Sequence, residues 1–142
     1  MKKMHLFMVM LLTAIIPVLF NSCNPSKPDD YAELIIGEWE MTRMDYEVEY
    51  ESETEVGSDY LDEGDWIWNF DGNRLTMIYD NYNDDDAYRY DIEDNKLYTE
   101  YASNYNVQYF KIITLNTTKL VLELTYQYED INTKYTYVFK RI

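Results

Sequence analysis

The chain lacks most of the residues from which catalytic sites are built. It has 142 residues, but its one histidine is His5 and its one cysteine is Cys23. A domain beyond position 23 therefore has no Ser–His or Cys–His pair, no histidine-ligated zinc site and no disulfide within the chain. The four glycines are scattered, so they form no phosphate-binding loop. We expect a protein that is not an enzyme and that carries no cofactor.

Basic residues are also scarce. The chain has 12 Lys and Arg against 27 Asp and Glu, and two of the basic residues, Lys2 and Lys3, stand near the N-terminus. Without these two, ten basic residues face 27 acids, a net charge of −17 that disfavours nucleic acid and anionic membrane surfaces as partners. With so many acids, some carboxylate pairs arise by chance, so they do not indicate a glycosidase. The 16 Tyr, 3 Trp and 5 Phe distinguish the chain from disordered acidic sequences and predict a folded domain.

An export signal is indicated over residues 1–22. Lys2 and Lys3 precede an apolar run from Leu6 to Phe20, which is shorter than the roughly 20 residues that a membrane-spanning helix needs. Ser22-Cys23 comes just after this run, an arrangement that resembles a bacterial lipoprotein signal, in which the cysteine receives diacylglycerol. Residues 23–30 read as a tether, and its acidic end resembles the surface-export signals of some lipoproteins. We expect an exported protein anchored to the bacterial outer membrane through Cys23, with surface exposure left open.

Period-two alternation of apolar residues dominates the rest of the chain and predicts an all-β domain over residues 31–142. Before it, Asp30 and Glu33 suggest a capped, short helical turn. The connections are mostly short and rich in Asn, Asp and Gly, as β-hairpins require. We therefore predict an eight-stranded up-and-down antiparallel barrel. The predicted strands are 38–50, 65–70, 74–80, 87–92, 96–101, 106–115, 119–129 and 134–141.

Residues 51–64 are the exception to the short connections. They contain six acids and no basic residue, which predicts a long, solvated loop. Leading into this segment, glutamates recur at every second position from Glu47 to Glu55. In a continuous strand they would share one repulsive outer face, which would also deter pairing between sheet edges.

Several short motifs, in this order, resemble the lipocalin-like domain of secreted bacterial lipoproteins. The motifs are Gly37-Glu38-Trp39, Phe70-Asp71-Gly72-Asn73, Leu120-Val121-Leu122-Glu123 and the ending from Tyr135 to Ile142. The resemblance covers residues 31–142. It implies a barrel with one closed and one open end. Trp39 would pack at the closed end with Lys140 or Arg141 across its ring, and residues 51–64 would lie at the open end.

Two binding hypotheses follow for this barrel. In the first, a small apolar or amphipathic ligand occupies a cavity lined by inward-facing residues. The candidate lining is Trp66, Trp68, Phe70, Met77, Tyr90 and Tyr137. In the second, those side chains simply fill the core, and outer tyrosines together with the 51–64 segment bind a protein or a glycan. The acidic run 80–86 is a weak calcium candidate, because it lacks the Gly and Glu of an EF-hand loop. The sequence indicates no oligomeric state.

Overall fold

A computed structural model describes residues 30–79, 87–103 and 109–142, together with the backbone of 82–83. The signal segment, Cys23 and nearly all of the tether and of the 80–86 run lie outside these ranges. Within the described residues, two short helices accompany ten strands. The helices are α1 (Tyr31–Leu34) and α2 (Glu100–Ser103). The strands are β1 (Gly37–Tyr50), β2 (Glu53–Tyr60), β3 (Trp66–Asp71), β4 (Arg74–Tyr79), β5 (Tyr82–Asn83), β6 (Tyr88–Glu93), β7 (Lys96–Thr99), β8 (Phe110–Leu115), β9 (Lys119–Tyr128) and β10 (Ile131–Arg141).

Eight of these strands form a closed antiparallel ring. The order β10-β9-β8-β7-β6-β4-β3-β1 follows the chain, and pairing of β1 with β10 closes it. That closing ladder extends from the pair Trp39–Arg141 to the pair Tyr50–Ile131 and has a bulge at Thr42. The prediction of an eight-stranded up-and-down barrel that follows a short helical turn is confirmed. Asp30 begins that turn, but its side chain makes no capping hydrogen bond.

The long-loop prediction for residues 51–64 is wrong, because β2 occupies most of this segment. The N-terminal part of β1, residues 37–40, pairs with β3, whereas its C-terminal part, residues 43–50, pairs with β2 in a hairpin. Glu51 adopts a positive φ of 36° in the turn of that hairpin. In β2, Gly57 lies opposite Tyr46, whose ring covers it so closely that a Cβ there would be 2.3 Å from the ring. Aromatic cover of this kind compensates for a glycine in a strand.

The same hairpin separates the row of glutamates. Glu47 and Glu49 lie on β1 between the residues that pair with the inner face of β10, so they point outward. Glu53 and Glu55 lie opposite Tyr50 and Val48 and therefore share the other face. The expected single face of five glutamates is wrong, because the turn at residues 51–52 reverses the chain.

The end of the predicted strand 96–101 folds instead as helix α2. The Thr99 hydroxyl accepts a hydrogen bond of 3.2 Å from the Tyr101 backbone N–H, which is how a threonine caps a helix N-terminus. Ala102 of α2 is fully buried in the core. The start of the predicted strand 106–115 lies mostly outside the described residues, and β8 begins at Phe110. The local cap and the burial of Ala102 therefore override the strand pattern at this position.

A candidate ligand site at the mouth of the barrel

One end of the barrel is covered by α1 and fixed by Arg141. The Arg141 guanidinium lies 4.3 Å from the centroid of the Trp39 ring, and it donates hydrogen bonds to the backbone carbonyls of Leu34 and Ile36, the latter at 2.9 Å. The Trp39 indole N–H donates to the Ile35 carbonyl at 2.7 Å. Trp39 and Ile35 are completely buried. Of the two cations considered from sequence, Arg141 is thus the one that lies over the Trp39 ring.

Lys140 has a different partner, Glu40. Its ammonium lies 2.6 Å from Glu40 Oε2, and the Gly64 backbone N–H donates to Oε1, also at 2.6 Å. The hydrogen bond from Lys140 lowers the pKa of the almost fully buried Glu40 below its ordinary value of 4.5, against the opposing effect of burial. The same bond raises the pKa of Lys140. Glu40 therefore stabilises the fold above its ordinary pKa, and this contribution is lost as the pH falls through the lowered pKa.

The barrel interior is packed around Trp68. Three of the sequence-predicted lining residues, Trp68, Phe70 and Met77, are at most 1% exposed and belong to the continuous hydrophobic core. Trp68 has aromatic neighbours with ring centroids 5.1 to 6.3 Å away. They are Phe70, Tyr101, Phe110, Tyr137 and Phe139. At this depth the side chains themselves fill the space.

The other three predicted lining residues are only partly buried, and they lie at different ends. Tyr90 is near the covered end, where its hydroxyl donates to the Gly72 carbonyl at 2.7 Å. Burial, and then the charge of Asp71, raise the pKa of Tyr90. Trp66 and Tyr137 lie toward the opposite end, which we call the mouth, where β1 continues beyond its pairing with β3 and β9 turns into β10. The six residues therefore do not line one common cavity.

A column of three tyrosines continues the inner wall from the core to the mouth. Tyr137 and Tyr135 lie directly opposite the buried Leu122 and Leu124, so they share the inner face of the sheet. Their rings are stacked at 6.0 Å, and Tyr135 is stacked on Tyr126 at 6.3 Å. We refer to Tyr126, Tyr135 and Tyr137 as the tyrosine column. Stacked, partly buried rings of this kind offer flat surfaces to an apolar or aromatic ligand.

Two indole groups on β3, that of Trp66 near the mouth and that of Trp68 in the core, have unused hydrogen-bonding capacity. Trp66 is one inward position closer to the mouth than Trp68, and its ring packs 4.9 Å from that of Tyr79. The Nε1 atoms of Trp66 and Trp68 are both buried, and neither has a hydrogen-bond acceptor in the described structure. A buried donor without a partner costs about 1–3 kcal/mol. An acceptor supplied by a ligand or by ordered water would remove that cost.

Tyr126 and Tyr135 were not among the residues predicted to line the site. Both occur in alternating rows that also contain buried core residues, Leu120 to Leu124 in β9 and Phe139 in β10. The period-two pattern thus contained the signal that they face inward. Their stacking could not be read from the sequence, because it depends on the register between β9 and β10.

An acidic groove lies at two hairpin turns beside the mouth. It has a volume of about 460 Å³, lies between the β1–β2 turn and the β9–β10 turn, and is lined by Glu51, Glu53, Glu129 and Asp130. Within residues 30–79, 87–103 and 109–142, however, no three or more His, Cys, Asp or Glu side chains are grouped so as to hold a metal ion. The 80–86 calcium candidate lies outside the described residues except for the backbone of 82–83. The same ranges contain no helix long and apolar enough to cross a membrane.

An up-and-down barrel of eight antiparallel strands is the architecture of lipocalin-like binding proteins. A family model described as a lipocalin-like domain matches residues 35–122, more than half of the chain. The chain therefore belongs to the lipocalin-like domain family. A search of curated proteins and a search of solved structures each returned no match. Membership in this family indicates ligand binding in general.

Proposed function

We propose that the protein is a non-catalytic binding protein that holds a small apolar or amphipathic ligand at the mouth of its barrel. The ligand would lie against Trp66 and the tyrosine column. The observation that carries this proposal is the buried indole N–H of Trp66, near the mouth, for which the described residues supply no acceptor. The packed interior below Trp68 limits the depth to which a ligand can enter.

The same features define the chemistry of the ligand. Its flat or apolar part would stack on the tyrosine rings, and a carbonyl or ether oxygen would accept from an indole N–H. A ligand with a carboxylate or phosphate group is disfavoured by the net charge of −17 on the chain beyond Lys2 and Lys3. We therefore expect a neutral ligand with one hydrogen-bond acceptor.

Two naphthalenes that differ in one carbonyl test this proposal. Residues 30–142 contain the closed ring and its core, so this domain is titrated with 2-acetylnaphthalene and with 2-ethylnaphthalene, and tryptophan fluorescence quenching is followed. We expect the acetyl compound to bind about tenfold more tightly, which corresponds to roughly 1.4 kcal/mol for one satisfied donor. The indole N–H signal of Trp66 in the NMR spectrum should shift on binding.

Two variants locate the binding. Trp66→Phe retains a ring but has no N–H, and it should lose the preference for the acetyl compound. Tyr98→Leu is the control, because Tyr98 alternates with the buried Leu97 and Thr99 and so lies on the outer wall, packed 5.6 Å from Tyr109. This control should bind both compounds like the unmodified domain. Equal affinities for the two compounds, or no saturable binding, would contradict the proposal.

We also propose that the protein is exported and anchored to the bacterial outer membrane through Cys23, with the domain as its soluble part. The support is the sequence of the leader, in which a short apolar run ends at Phe20, three positions before the one cysteine. Acyl chains contribute about 0.8 kcal/mol for each buried CH₂, so a multiply acylated cysteine is a stable anchor. Mass spectrometry of the membrane-extracted protein should find an acylated N-terminal Cys23. A Cys23→Ser chain should carry no lipid, and a bare thiol at position 23 would refute the anchor.

A further inference from the structure

Strand β2 has one unpaired edge in the described structure. Among residues 30–79, 82–83, 87–103 and 109–142, it pairs with β1 alone, and it lies outside the closed ring. Seven of its eight residues are exposed. From this edge we propose a second binding site: β2 binds an extended, basic peptide segment, which adds to the sheet as a further strand.

The backbone of β2 is suited to strand addition. In an antiparallel pair, half of a strand's N–H and C=O groups point toward its partner and half point away, so the outer edge of β2 presents a row of free donors and acceptors. Native edge strands are protected from such pairing by short length, by proline, by bulges or by charged side chains. β2 has eight residues and no proline, so the protection it retains is the charge of its acidic side chains, which a basic partner neutralises.

The charges on β2 select the partner. Glu53, Glu55 and Asp59 share one face, because they pair with Tyr50, Val48 and Met44 at alternate positions of β1. An added strand would place the Cβ atoms of its alternate residues about 4.5–5.5 Å from those of these acids, where Lys or Arg is favourable and an acid is not. A second copy of this chain is disfavoured for that reason. In a symmetric antiparallel pairing centred on Val56, Glu53 would face Asp59 of the other copy.

The opposite face of β2 is suited to small or apolar side chains. Val56 is 70% exposed and Tyr60 is 77% exposed, and both lie on this face. Ser58, which lies between them at the alternate position, has a small side chain. The expected partner is thus an extended segment that alternates basic residues on one side with apolar residues on the other.

Peptide binding to the 30–142 domain tests this inference independently of the ligand site. The probe is an eight-residue peptide that alternates Lys and Val. One control peptide has the same composition with the four Lys grouped together, and another has Glu in place of Lys. We expect the alternating basic peptide to bind at least tenfold more tightly than either control. It should also slow amide hydrogen exchange in residues 53–60 by tenfold or more, which electrostatic attraction alone would not do.

Two sets of substitutions distinguish the site from general acidity. The triple variant Glu53→Gln, Glu55→Gln, Asp59→Asn should weaken binding at least tenfold. The matched control, Glu33→Gln, Glu38→Gln, Glu93→Gln, removes three exposed charges elsewhere and should bind like the unmodified domain. Equal binding of the alternating and grouped peptides, or unchanged exchange in β2, would overturn the inference. A dimer in sedimentation that protects the same amides would also overturn it, because the edge would then be occupied by a second copy.

Discussion

Replacing Trp68 with alanine should lower the free energy of unfolding by about 3–5 kcal/mol, the usual cost of truncating a large core aromatic residue. Trp68 is 1% exposed, and aromatic rings from β3, α2, β8 and β10 surround it. The truncation would leave a cavity that these rigid rings cannot fill. Urea denaturation of the 30–142 domain, followed by circular dichroism, measures the difference.

Trp66→Ala is the matched control for this change. Trp66 is in the same strand and on the same face, but it is partly exposed near the mouth. Its loss should cost clearly less stability than the loss of Trp68. If the two variants were equally stable, the barrel would not be packed around Trp68. A Trp68 variant would confound loss of ligand binding with unfolding, whereas a Trp66 variant should remain folded.

Replacing Arg141 with alanine should have the second-largest effect and lower the free energy of unfolding by about 2–4 kcal/mol. The guanidinium donates to two carbonyls at the end of α1, and hydrogen bonds to a charged group are worth about 1.5–3 kcal/mol each when well shielded. Its position over Trp39 adds about 0.5–2 kcal/mol, depending on burial. Partial exposure of Arg141 reduces the sum. The loss is measured by urea denaturation, and the Trp39 indole N–H should exchange faster in the variant.

Two further substitutions separate geometry from charge at the covered end. Arg141→Lys keeps a cation near Trp39 but cannot donate in the same fork, so its stability should be intermediate. Arg89→Ala removes a highly exposed arginine whose ion pair with Glu100 has a distance of 3.5 Å, and it should change stability by less than about 0.5 kcal/mol. An Arg141→Ala variant as stable as Arg89→Ala would show that α1 is held in place by other contacts.

Most of the barrel could be predicted because each ring strand alternates and each turn carries its own signal. Trp66-Ile67-Trp68-Asn69-Phe70 followed by Asp71-Gly72-Asn73 is sufficient to indicate a hairpin. β2 was missed because its composition is that of a loop. Its strand conformation depends on pairing with residues 43–50 of β1 and on the Tyr46 ring, which lies over Gly57. Neither contact has a local sequence signal.

The candidate site was predictable only in part, because alternation indicates the face of a residue and not its depth. Trp66 and Trp68 have the same sequence pattern, yet one is near the mouth and the other is in the centre of the core. The depth of a side chain along the barrel axis depends on the tilt and register of the neighbouring strands, because these determine which side chains lie at the same level and pack together. For the same reason Tyr90, although on the wall of the barrel, belongs to its covered end.

The position of β2 beside the ring has a consequence for how this scaffold tolerates change. Ring closure depends on the ladders from β1 to β10 and from β1 to β3, and neither includes a residue of β2. The length and sequence of β2 can therefore change, by insertion, deletion or grafting, without opening the barrel. Evolution or protein engineering could use β2 to alter recognition while the barrel itself stays the same.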